Sequence, residues 1–149
     1  MAKKDKQVSY PVLIFSADKL RGRIIQEVLM RSSVDSLLLG TISQVRGTLI
    51  ERAPDVAILD TNGCFSEEIN HLSNLCGALE QTSVILLGDA PIIDRFDGPV
   101  IRRELCLSDP LNPELIVTKV KGLLSLKVKE KRPEDSPLEE DLKEFLGLD

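Results

Sequence analysis

The chain has 149 residues, of which 42% are hydrophobic and 29% are charged, and its formal net charge is −5. This length accommodates one globular domain with tails, and the composition is typical of a soluble protein. Aromatic residues make up only 3% of the chain and tryptophan is absent, which argues against a base-stacking nucleic-acid surface. The apolar runs are too short to span a bilayer, and the charged N-terminus lacks the apolar region of a signal peptide.

The cysteines and the charge distribution further restrict the class of protein and the partners that it could bind. Cys64, Cys76 and Cys106 are odd in number and lack the spacing of metal ligands, so we expect reduced thiols in a cytoplasmic protein. Residues 133–149 carry a charge of −6, whereas residues 1–132 carry +1. Without a basic stripe, we expect no direct nucleic-acid contact from this domain, and no membrane association.

Short apolar runs alternate along the chain with segments of helical periodicity. Strands are predicted at 11–15, 37–39, 55–60, 83–87 and 105–107. Helices are predicted at 18–31, about 45–50, 66–80 and from 113 to about 124, and residues 91–99 read as a weak or broken helix. The strands are continuous apolar runs, which is typical of strands covered on both faces. The pattern therefore predicts an α/β domain with a five-stranded parallel sheet and right-handed crossovers.

The ends of the chain are predicted to differ from this domain. We expect a flexible tail over 1–10, the domain over 11–126, and a charged linker with a short acidic helix over 127–149. Leu138, Leu142, Phe145 and Leu146 fall on one face of that helix, with Ser136 as a candidate N-cap. The helix either folds back onto the domain or frays, or it binds a partner protein.

Polar residues follow the predicted strands at the edge where open α/β sheets bind ligands. Asp60 is the most informative of them, because it ends a buried strand and is followed by the turn-forming residues Thr61-Asn62-Gly63. The strand-end set is Ser16, Ala17 and Asp18 after the first strand, Asp60 after the third, Gly88 and Asp89 after the fourth, and Ser108, Asp109 and Pro110 after the fifth. This set is acidic, so we expect a negatively charged pocket.

Short sequence motifs and the order of the elements between Val12 and Leu124 resemble the receiver domain of bacterial two-component response regulators. The motifs are Val12-Leu13-Ile14 before a polar loop, the run Arg52-Ala53-Pro54-Asp55-Val56-Ala57-Ile58-Leu59-Asp60, and Asp109-Pro110 before the last helix. The resemblance implies a CheY-like, flavodoxin-like (βα)5 three-layer sandwich with strand order 2-1-3-4-5. It also implies a role in two-component signal transduction or a phosphorelay.

In that family the aspartate that matches Asp60 accepts a phosphoryl group, but the residues that would assist it differ here. Two acids that hold Mg²⁺ match Ser16 and Ala17, while Asp18 comes one position late and is a better candidate for a helix cap. The hydroxyl residue after the fourth strand matches Gly88. The lysine before the proline matches Asp109, and the aromatic switch residue matches Cys106.

These differences predict that Asp60 is phosphorylated poorly or not at all. Phosphoryl transfer requires positive groups that neutralise developing charge, and Asp109 adds a negative one. A magnesium site is expected only if Asp18 or Asp89 joins Asp60 in a shifted geometry. Alternatively, Asp60 only caps the following turn by accepting a bond from backbone amides near Asn62.

We therefore expect a pseudo-receiver that is not an enzyme and needs no cofactor. It would bind other signalling proteins, or form a homodimer, through the face of the last two strands and last helix. Two alternatives remain open: the receiver part of a DNA-binding response regulator, and a genuine Mg²⁺-dependent phosphoacceptor. Phosphate-binding loops and nucleophile elbows are absent from the sequence.

Overall fold

Five strands and five helices alternate along the part of the chain that the structure describes. The structure is a computed structural model and describes residues 10–96 and 101–135, with side chains described up to residue 127. The strands are β1 (Val12–Ser16), β2 (Ser36–Leu39), β3 (Val56–Asp60), β4 (Ser83–Gly88) and β5 (Cys106–Ser108). The helices are α1 (Lys19–Arg31), α2 (Ile42–Glu51), α3 (Ser66–Gly77), α4 (Ala90–Ile93) and α5 (Pro113–Asp135), and a 3-10 turn (Arg103–Leu105) precedes β5.

The strands form one parallel sheet with the order β2-β1-β3-β4-β5, as expected. In the register, Ser16 is the partner of Asp60, and Asp60 is the partner of Leu87. The carboxyl ends of β1, β3 and β4 therefore meet at one edge of the sheet, with β5 beside β4. This edge is where the predicted strand-end residues come together.

Helices cover both faces of the sheet, because successive side chains of each strand point to opposite sides. Leu13 and Phe15 of β1 pack in a buried cluster with residues of α2, α3 and α4. Val12 and Ile14 pack in a second cluster with residues of α1 and α5. Full burial of one such aliphatic side chain contributes about 1.5–3 kcal/mol, so these two layers are the main source of stability.

Polar side chains cap the N-termini of α1 and α5 at the residues that the sequence predicts. Asp18 is the N-cap of α1, and its side chain accepts bonds from the amides of Leu20 and Arg21. The Asn112 side chain accepts a bond from the amide of Leu115 at the start of α5. Both caps satisfy backbone donors that a helix leaves unpaired in its first turn.

The C-terminal part of the domain differs from the sequence-based expectation. Helix α5 continues to Asp135, through the first residues of the predicted linker. Residues 127–132, Lys-Val-Lys-Glu-Lys-Arg, are mostly straight-chain side chains with high helix propensity, which favours this continuation. Residues 136–149, including the predicted acidic helix, and residues 1–9 of the predicted tail lie outside the described residues.

A weak or broken helix was predicted over 91–99, and the described part of that segment begins with the short helix α4 (Ala90–Ile93). Residues 97–100 lie outside the description. Among the residues that are described, we find no helix with the length and apolarity needed to cross a membrane.

Candidate functional site

Asp60 lies at the end of β3 with no solvent exposure, and its carboxylate accepts four hydrogen bonds. Oδ2 accepts from Arg21 Nε at 2.8 Å and from Ser16 Oγ at 2.9 Å. Oδ1 accepts from Arg21 Nη2 at 3.0 Å and from the amide of Asn62 at 3.2 Å. The Asn62 bond is the turn-capping contact that the sequence suggested. Each oxygen thus has two donors, which satisfies the buried carboxylate.

Arg21 supplies the cation of the site and joins it to a second carboxylate. Its Nη2 also donates to Asp109 Oδ1 at 3.0 Å, and its side chain is only 16% exposed. The hydrogen bonds to Asp60 raise the pKa of the Arg21 guanidinium above its usual value, although burial acts in the opposite direction. A paired, two-pronged contact of this kind is the strong geometry for a guanidinium and a carboxylate.

The predicted acidic residues at this edge are thus accompanied by a cation, Arg21, which the sequence reasoning overlooked. A signal for it exists in the sequence. Arg21 lies one helical turn before Ile25 and two turns before Leu29, which are both fully buried. Residues four apart occupy the same face of a helix, so Arg21 extends the core-facing stripe of α1 to the strand-end edge.

Two of the other predicted acids, Asp18 and Asp89, do not join Asp60 in a common site. Asp18 uses Oδ1 to cap α1, and Asp89 is an exposed residue at the start of α4 whose side chain makes no capping bond. Ala17 is exposed, whereas Ser16 is buried beside Asp60. Asp109 reaches Asp60 only through the shared Arg21 contact. The Asp109–Pro110 peptide bond is cis.

These residues do not fit the magnesium ion that the receiver resemblance implies. Mg²⁺ requires near-octahedral oxygen ligands and is held by one or two carboxylates with water. Here a guanidinium contacts both oxygens of Asp60, and the residues after β1 provide a hydroxyl and a methyl group. Among the side chains that the structure describes, within residues 10–96 and 101–127, no group of three or more His, Cys, Asp or Glu is placed to hold a metal.

Gly88 and Cys106 occupy the remaining predicted positions. Gly88 ends β4 with a φ of +149°, a backbone conformation that side chains with a Cβ rarely adopt. Cys106 is half-buried and packs against the cluster on the α2 and α3 side of the sheet, with Sγ 3.3 Å from the carbonyl oxygen of Arg102. Burial raises the pKa of its thiol, so Cys106 is a packing residue with little thiolate character at neutral pH.

Arg95 provides a second contact that sequence reasoning did not anticipate. It follows α4, and its guanidinium donates to Ser66 Oγ at 3.2 Å and to Asn70 Oδ1 at 2.8 Å. These bonds connect the segment after β4 to the first turns of α3, next to the strand-end edge. All the atoms involved are exposed, so the net contribution of each bond is small.

The sequence matches no protein-family model and no curated protein. Solved structures with a similar fold include receiver domains of response regulators. The receiver domain of the Francisella response regulator 1452 has a TM-score of 0.64 and 16% identity, covering 80% of this chain and 99% of that one. The CheY-like receiver protein from Methanospirillum hungatei JF-1 has a TM-score of 0.63 and 14% identity, covering 83% and 99%. The beryllofluoride-activated NtrC4 receiver domain dimer has a TM-score of 0.57 and 13% identity, covering 75% and 93%.

At this level of identity the comparison defines the fold. The chain has the α/β receiver fold of response regulators, and Asp60 lies at the end of the third strand of that fold.

Proposed function

We propose that this chain is a degenerate receiver module that acts in signalling by binding other proteins, with little or no phosphorylation of Asp60. One observation carries the proposal: Arg21 forms a two-pronged contact with the buried carboxylate of Asp60. A carboxylate attacks phosphorus through an oxygen lone pair. In this site both oxygens already accept two hydrogen bonds each, so attack requires that the guanidinium first be displaced.

The charge balance of the site also opposes phosphorylation. One guanidinium faces two carboxylates, Asp60 and Asp109, so this group carries a net charge of −1 before any phosphoryl group arrives. Transfer of a phosphoryl group adds further negative charge in a region that water reaches poorly. Asp109 stands at the position of the family lysine. It therefore adds no positive charge, and it also pairs with the guanidinium of Arg21.

The proposed partners are other signalling proteins, and the proposed contact face comprises β4, β5 and α5. Leu115 and Leu126 are exposed on α5, at 37% and 52%. A homodimer through this face is part of the proposal, since the beryllofluoride-activated NtrC4 receiver domain, which has the same fold, is a dimer. Catalysis, a cofactor and direct contact with nucleic acid are not part of it.

The phosphorylation state tests the proposal directly. The protein is incubated with Mg²⁺ and acetyl phosphate, or with beryllofluoride, and is followed by intact-mass spectrometry and by amide NMR spectra. We expect no added phosphoryl mass and no shift of the resonances around Asp60. The NtrC4 receiver domain, known in a beryllofluoride-activated form, is the positive control. A phosphoryl mass gain that disappears in Asp60→Asn would refute the proposal.

The oligomeric state tests the contact face separately. Light scattering coupled to size-exclusion chromatography is measured over a concentration series for the wild type and for Leu126→Glu. A dimer through this face becomes monomeric in the variant. Ile50→Glu is the matched control, because Ile50 is 77% exposed on α2, away from the proposed face. A dimer that survives Leu126→Glu and dissociates in Ile50→Glu contradicts the assignment.

A further inference from the structure

We propose that Arg21 is the resident counter-ion of the strand-end site and takes the place of an external divalent cation, with Asp109 as its second anchor. This inference rests on the proposed function and concerns how the same site is held in one state. It starts from the disagreement between the magnesium ion that the fold implies and the residues that are present.

The geometry places one cationic nitrogen between two carboxylates. Arg21 Nη2 lies 3.0 Å from Asp60 Oδ1 and 3.0 Å from Asp109 Oδ1. The same guanidinium places Nε 2.8 Å from Asp60 Oδ2. Arg21 is thus the charge that both acids share. A small hydrated ion does not have to supply it, because the planar fork of a guanidinium matches a carboxylate directly.

The charges of Arg21 and Asp109 are electrostatically favourable only when both residues are present. Asp109 without Arg21 would add a carboxylate beside the fully buried Asp60 with no cation to separate them. Conversely, a lysine at position 109 would face the Arg21 guanidinium as a like charge. Compared with the receiver pattern, this chain has an additional cation on α1, Arg21. After β5 it has an anion, Asp109, in place of the family lysine. The two differences compensate each other electrostatically.

The shared contact also joins three elements of the fold. Arg21 belongs to the first turn of α1, Asp60 ends β3, and Asp109 lies in the loop between β5 and α5. In a two-state protein, a ligand shifts the equilibrium through its differential contacts with the two states. Here those contacts belong to the chain itself, so the β5–α5 loop is held against β3 without a metal or a phosphoryl group.

Replacement of the guanidinium tests the inference. Arg21→Ala leaves a cavity shaped for guanidinium and lined by two carboxylates. We expect its Tm to fall by roughly 10 °C, because an unpaired buried charge remains. Millimolar guanidinium chloride, far below denaturing concentrations, should raise the Tm of Arg21→Ala. It should not raise the Tm of the wild type, in which the site is filled, or of Arg21→Ala/Asp60→Asn. Sodium chloride at equal ionic strength is the salt control.

Arg21→Lys keeps the charge without the fork, and its Tm should fall between those of the wild type and Arg21→Ala. It also keeps the inference testable if Arg21→Ala does not fold. Coupling between positions 21 and 109 is then measured in a double-mutant cycle with Arg21→Lys and Asp109→Asn.

Three outcomes would overturn the inference. They are an absence of guanidinium rescue in a folded Arg21→Ala protein, additive effects at positions 21 and 109, and a Mg²⁺-dependent rise in wild-type Tm that Asp60→Asn abolishes. Each differs from failure of the proposed function, which shows itself as phosphoryl mass on Asp60 of the wild type.

Discussion

Thr61 fills the space that a side chain at position 88 would need. Its hydroxyl is buried and donates to the carbonyl oxygen of Leu87 at 2.7 Å. A Cβ placed on Gly88 would lie 1.9 Å from Thr61 Oγ1, far inside contact distance. A hydroxyl is therefore present next to the end of β4, but the residue after β3 supplies it and Gly88 makes room for it.

Gly88→Ala should lower the free energy of unfolding by about 3 kcal/mol. The change combines a clash with Thr61 and a φ of +149° that alanine rarely adopts. Urea denaturation followed by circular dichroism measures this loss. Gly63→Ala is a useful comparison, because Gly63 also has a positive φ, of +84°, but has open space around its Cβ position. If Gly63→Ala loses less stability than Gly88→Ala, the difference measures the contribution of the clash with Thr61. Equal losses would show that backbone strain dominates.

Asp18→Ala should destabilise the protein by about 1 kcal/mol through loss of the N-cap of α1. The Asp18 side chain accepts bonds from the amides of Leu20 and Arg21, at 3.0 and 3.2 Å. Asp18→Asn preserves an acceptor oxygen and removes the charge, so its stability should remain close to that of the wild type. A large loss in Asp18→Asn would mean that the charge itself acts at the site. Thermal and urea unfolding distinguish these results.

Ser16→Ala should cost about 1–2 kcal/mol, because it removes a donor from the buried carboxylate of Asp60. The neighbouring exposed position provides the control, and Ala17→Ser should change stability by less than about 0.5 kcal/mol. Denaturant titrations of both variants give the comparison. If Ser16→Ala were as stable as the wild type, the three remaining donors would be sufficient for Asp60.

The half-buried thiol of Cys64 and the buried thiol of Cys76 should make the protein less stable at high pH. Burial raises the pKa of Cys64 to about 12, with a smaller effect from Glu68, and burial alone raises that of Cys76 to about 12. In the unfolded chain these thiols ionise near 9.0, so the unfolded state releases its protons first. The contribution is fully present below about pH 9 and is lost as the pH rises toward 12.

Urea denaturation of the wild type and of Cys64→Ala/Cys76→Ala between pH 7 and pH 11 tests whether the two thiols lower the stability as the pH rises. The wild type should lose stability more steeply above pH 9 than the double variant does. Alkylation by iodoacetamide at pH 8 should also be much slower in the folded protein than in urea. Equal pH slopes for the two proteins would mean that other groups determine the alkaline loss.

Sequence patterns were sufficient for the architecture because they reflect local chemistry. Continuous apolar strands such as Val56–Asp60 indicated a sheet covered on both faces, and the caps Asp18 and Asn112 marked where helices begin. The extent of α5 was predicted less well. A charged run such as 127–132 favours a helix and a solvated linker alike, and sequence periodicity does not separate the two.

The sequence by itself determined the parallel α/β architecture and the position of Asp60 at the carboxyl edge of the sheet, since both follow from periodicity and chain order. Only the tertiary structure decided the electrostatic character of that edge. Arg21 and Asp60 are 39 residues apart, and Asp109 is 88 residues from Arg21, so no local pattern pairs them. Similarly, the compensation between Thr61 and Gly88 arises because β3 and β4 are neighbours in the sheet. Charge neutralisation and steric fit depend on distance in space, and folding alone brings these side chains together.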